Sequence, residues 1–82
     1  MSLPLASAYF TQLVEDGYNI STRYDTLRDG LVIRMDYYEF HAEGLLPGEY
    51  LTDDLIYKQF LMKLRGEILD LIEKESKNGN LR

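Results

Sequence analysis

The sequence predicts a small α+β protein in the order α-β-β-α: an N-terminal helix, a two-stranded antiparallel hairpin and a long C-terminal helix, completed by dimerisation. Three observations predict it. Apolar residues recur at helical spacing near both ends, an Asp29-Gly30 pair lies inside an alternating stretch, and a lone hairpin is too marginal to stand as a whole sheet. With 82 residues the chain is one domain, and a domain this short buries only about 60–65% of the surface its unfolded form exposes.

The first helix is predicted over residues 4–16. Pro4 suits the first helical turn, Gly17 suits the left-handed residue beyond a helix end, and Ala6, Phe10, Leu13 and Val14, with Tyr9 beside them, share one face. Tyr18 and Leu13 fall where the hydrophobic contact of such a cap belongs.

The hairpin is predicted over 18–42. If Asp29-Gly30 is a two-residue turn, opposed residues sum to 59: Tyr24 stands against Met35, Thr22 against Tyr37 and Thr26 against Ile33. The other face then pairs Asp25 with Arg34 and Arg23 with Asp36, two opposite-charge pairs of the kind cross-strand matching favours. This register also sets Tyr38 and Phe40 on the charged face, opposite Ser21 and Asn19.

Residues 43–52 read as a linker, because Gly44, Pro47 and Gly48 break regularity. Thr52, Asp53 and Asp54 offer caps for a helix over 53–76, roughly 35 Å long and expected to overhang the hairpin. The tail 77–82 is too polar to be ordered alone.

On a helical wheel, Ile56, Tyr57, Phe60, Leu61, Leu64, Ile68, Leu71 and Ile72 make one broad face of the last helix. Leu55, Met62 and Leu69 lie on a separate side at seven-residue intervals, with Gly66 beside them. Glycine inside a helix costs about 1 kcal/mol relative to alanine unless something needs the space. These four residues are therefore the candidate dimer interface, beside a join of strand edges into four strands and against the plainer readings that the first helix covers them or that single exposed apolar residues carry no meaning.

Charge narrows the function. Between Met35 and Tyr57 the chain carries Asp36, Glu39, Glu43, Glu49, Asp53 and Asp54 and no Lys or Arg, so this segment holds −6 of a net −5. Gripping phosphates needs the opposite sign, which argues against direct nucleic-acid binding. No apolar run approaches the roughly 18 residues of a membrane span, and no Lys or Arg precedes the N-terminal apolar stretch as in a signal peptide. The absence of cysteine fits a reducing compartment, so a cytoplasmic location is expected.

The single histidine, His41, sits between Glu39 and Glu43 at alternate positions, a spacing that can present two carboxylates and an imidazole to a metal or to acid/base chemistry. The plainer reading is a strand end with His41 beside Tyr18 and solvated glutamates. No GxSxG elbow, phosphate loop or HExxH is present. No cofactor is expected. The reading that follows is a non-enzymatic adaptor or inhibitor, acting as a homodimer on a basic protein surface. Tyr38, Phe40 and Tyr50 would anchor it, and Glu39, Glu43, Glu49, Asp53 and Asp54 would steer encounter. A small enzyme built on Glu39, His41 and Glu43, or a structural subunit of a larger assembly, are the alternatives.

Overall fold

Five regular elements and one 3₁₀ turn account for the computed structural model, which describes residues 3–79. Pro4 opens helix α1 (Pro4–Glu15), where its missing N–H removes no helical bond. Leu3 offers no side-chain cap. The carboxylate of Asp54 does so from far along the chain, accepting the Leu5 and Ala6 amides at 2.8 Å each. At the other end Gly17 adopts φ 98°, and the amides of Gly17 and Tyr18 donate to the carbonyls of Val14 and Leu13 at 3.1 and 2.9 Å. This is the pair of hydrogen bonds of a Schellman cap, and its expected partners Leu13 and Tyr18 are both buried.

Three strands follow, where two were expected. β1 (Asn19–Asp25), β2 (Gly30–Tyr37) and β3 (Phe40–Pro47) form an antiparallel meander in that order. The third strand joins the last residues of the expected hairpin, 40–42, to the first half of what read as a linker, 43–47. Sheet completion by a second copy is thus unnecessary, because the same chain supplies the missing strand.

The register of the first hairpin also differs. Ile20 faces Met35, Thr22 faces Ile33 and Tyr24 faces Leu31, so opposed residues sum to 55. The cause is local. Asp25 accepts the Leu27 and Arg28 amides at 3.0 and 3.2 Å and the Arg28 Nε at 2.7 Å, building a loop of Thr26–Asp29 in which Asp29 takes φ 51°. Asx-type bonding of this kind competes with the two-residue turn that Asp-Gly favours. Gly30 then belongs to the strand, where an added Cβ would lie 2.8 Å from the Leu46 carbonyl. The ladder pairs expected between Asp25 and Arg34 and between Arg23 and Asp36 do not form; Arg34 instead bonds Asp36 on its own strand at 3.0–3.1 Å.

Because the register moves by an even number, β1 and β2 keep the sidedness expected of them. Beyond Tyr37 it changes. Tyr38 and Glu39 form a two-residue turn, so Tyr37 pairs with Phe40 and Met35 with Ala42. Phe40, Ala42, Gly44 and Leu46 therefore face inward, and His41 and Glu43 join Asp36 and Arg34 on the outer face. Phe40 is not on the charged face as expected.

Pro47 leads into a 3₁₀ turn (Gly48–Tyr50) and then helix α2 (Asp54–Gly79). Asp53 caps it, accepting the Ile56 amide at 3.0 Å. Its side chains Leu61, Leu64 and Ile68 are fully buried with Leu13 of α1 and Ile33, Met35 and Leu46 of the sheet. Tyr57, Phe60 and Ile72 pack at the margin of that core, whereas Leu71 remains exposed. Twenty-six residues give a helix of about 39 Å, while the eight residues of β3 span about 26 Å. The C-terminal turns of α2 therefore extend past the sheet, and the molecule is 50 Å along its longest axis. Of the expected tail, residues 77–79 are helical and the remainder lies outside the described residues.

Candidate interaction surface

The turn between β2 and β3 holds the most exposed aromatic side chain among the described residues. Tyr38 is 83% exposed and sits at φ 55°, a left-handed conformation that bulky residues rarely adopt. Its ring meets Tyr37 edge-on at 4.7 Å, and Tyr37 stacks on Tyr18 at 4.4 Å. Three tyrosines thus run from the buried cap of α1 to the solvent at the tip. Glu39 is exposed beside them.

The remaining residues proposed for a partner surface are spread along the fold. Glu43 is exposed midway along β3 on the outer face, and Glu49 is exposed in the 3₁₀ turn at the far end of that strand. Phe40 and Tyr50 are half-buried and pack against the core. Asp53 and Asp54 serve as helix caps. The acidic segment thus divides into acids that organise the fold, of which Asp53 is also exposed, and Glu39, Glu43 and Glu49, which face solvent.

Glu39, His41 and Glu43 do not converge. Glu39 belongs to the turn, while His41 and Glu43 stand on the outer face opposite Asp36 and Arg34. Among the described residues no three His, Cys, Asp or Glu side chains are grouped as a metal site would need. The Arg34 hydrogen bond, its positive charge and the nearby His41 hold the Asp36 carboxyl below the usual carboxylate range, and bonding to Asp36 raises the Arg34 value in return. A shallow concavity of about 290 Å³ lies over this face, lined by Ser21, Arg23, Val32, Arg34 and Glu43.

On α2, the candidate dimer residues form an open ridge. Leu55, Met62 and Leu69 are 54%, 48% and 41% exposed, and a Cβ placed on Gly66 would meet nothing within 4 Å. Helix α1 does not cover them. It packs alongside the ridge, where Lys58, on the same side of the helical wheel as Leu55 and Met62, lies 5.9 Å over the Tyr9 ring.

Two exposed features escaped the sequence reading. Leu27, 97% exposed, projects from the first loop, and its signal was an apolar residue inside a stretch otherwise composed for a turn. Tyr24 is 44% exposed and its hydroxyl donates to the Asp29 carboxylate; that bond raises the Tyr24 value. Comparison with family models, curated proteins and solved structures finds no match, so function is argued from the side chains of this chain alone.

Proposed function

We propose that the protein is a non-enzymatic interaction module that acts as a homodimer and offers an acidic, tyrosine-tipped surface to a basic partner protein. The observation that supports this most is Tyr38. A bulky side chain held 83% exposed at φ 55° is costly to keep, and such backbone outliers cluster where function needs them. Exposed tyrosine is suited to anchoring because it brings much contact area at little entropic loss. Glu39 and Glu43 contribute the long-range field, and Glu49, at the other end of β3, widens it.

The test uses an arginine-rich peptide as the probe of a basic surface. At low ionic strength, titration followed by amide chemical shifts should move Tyr38, Glu39 and Glu43 first, and 0.5 M salt should weaken binding about tenfold or more. Tyr38→Gly should weaken binding without loss of the fold. Shifts confined to other surfaces, or none, would overturn the reading.

A further inference from the structure

Resting on the homodimer reading above, we infer that α2 pairs antiparallel with α2 of a second copy along the Leu55, Met62 and Leu69 ridge, with the two-fold axis beside Gly66. Position is the first reason. Gly66 lies at the midpoint of α2, so an axis there overlaps the two helices over their whole length. Met62 and Leu69 are equidistant from a point between Arg65 and Gly66, so each faces the other in the partner, and the open space at Gly66 admits close approach of the backbones. That approach uses the one residue whose presence in a helix interior otherwise only weakens it.

Charge is the second reason, and it identifies the occupant. Residues 54–66 carry Lys58, Lys63 and Arg65 against Asp54, a net +2; residues 67–79 carry Glu67, Asp70, Glu73 and Glu75 against Lys74 and Lys77, a net −2. Each half of the helix is the electrostatic complement of the other, so antiparallel pairing places +2 on −2 twice. Parallel pairing would set like halves together. Lys63 and Asp70 share one flank of the ridge at 100° per residue and stand on either side of the axis with an offset of about 3 Å along the pair, which a lysine side chain spans, so each Lys63 reaches Asp70 of the second copy. Glu73 already pairs with Lys77 of its own helix at 3.4 Å, and Arg65, nearest the axis, is the one like-charge encounter that the pairing creates.

The chain has no cysteine, so single reporters are clean. Sedimentation equilibrium of the wild type should show a dimer at micromolar to high-micromolar concentration; a monomer throughout would overturn both this geometry and the homodimer reading. Leu69→Glu should raise the dissociation constant at least tenfold with an unchanged circular dichroism spectrum. A dimer that survives this substitution would overturn the ridge while leaving the homodimer standing. Gly66→Cys should form a disulfide between copies under mild oxidation, whereas Leu55→Cys, about 30 Å from its mate in the antiparallel pair, should not; cross-linking at both positions would show parallel pairing and overturn the inference. Lys63→Asp and Asp70→Lys should each weaken the dimer, and the double exchange should restore it to within about threefold. Absence of rescue would contradict the Lys63 to Asp70 contact. None of these positions touches the Tyr38 tip, so peptide binding there reads out separately.

Discussion

At the scale of single residues, four side chains perform tasks that composition alone conceals. Tyr38 should trade function against stability: Tyr38→Gly removes a left-handed strain of about 1 kcal/mol and one edge-on ring contact of similar size. Thermal stability should therefore stay close to wild type while binding falls. A melting temperature lowered by many degrees would contradict a strained tip. Asp54 caps a helix 48 residues earlier in the chain, so Asp54→Ala should cost about 1–2 kcal/mol in denaturant unfolding and speed hydrogen exchange at Leu5 and Ala6. Asp36 is held below the usual carboxylate range by Arg34, and Asp25 by Arg28. Since depressed values stabilise the fold above the unfolded value, this contribution is complete above about pH 4 and declines as pH falls through the folded values. Arg34→Gln should return the Asp36 midpoint, followed by carboxyl carbon shifts, to the ordinary range; an ordinary midpoint in the wild type would refute the pairing.

At the scale of elements, legibility followed how local each determinant is. Helix α1 was readable because Pro4 and Gly17 act within a turn of where they sit, and α2 because its core face repeats over many turns. The first hairpin was half readable: alternation placed Ile33 and Met35 inside, but Thr22 and Tyr24 stay exposed, Val32 is buried on the other face, and the Asp25 side chain built a longer loop than Asp29-Gly30 implied. β3 was missed for a tertiary reason. Its turn, Tyr38-Glu39, contains none of the usual turn residues, and Gly44 looked like a breaker although it is a strand residue over which Phe60 packs, 2.8 Å from where a Cβ would lie. The alternation of Phe40, Ala42 and Leu46 with His41 and Glu43 was the signal available. The partner surface suffered accordingly, since the tip was expected to be strand and Phe40 to be outside. Two substitutions probe this packing: Gly44→Ala meets a ring that can swing aside, whereas Gly30→Ala meets the Leu46 carbonyl. Gly30→Ala should be the more destabilising, by about 1–3 kcal/mol or more, and equal melting temperatures would count against the observed ladder.

At the scale of the whole molecule, a two-layer domain with its core under one helix has little stability to spare. Domains of this size are stable by about 4–12 kcal/mol, and truncating a fully buried residue such as Leu64 (1% exposed) removes about 2–5 kcal/mol. Leu64→Ala should therefore unfold well below the wild type, while Leu69→Ala, on the open ridge, should leave the intrinsic stability of one protomer almost unchanged; comparable losses in denaturant melts would argue against the ridge being open. The bond from Asp54 to the start of α1 also carries a temporal consequence. During synthesis the first helix emerges with two amides lacking their acceptor, and they wait until the ribosome has released two-thirds of the chain, so final docking of the earliest element is timed by one of the later ones.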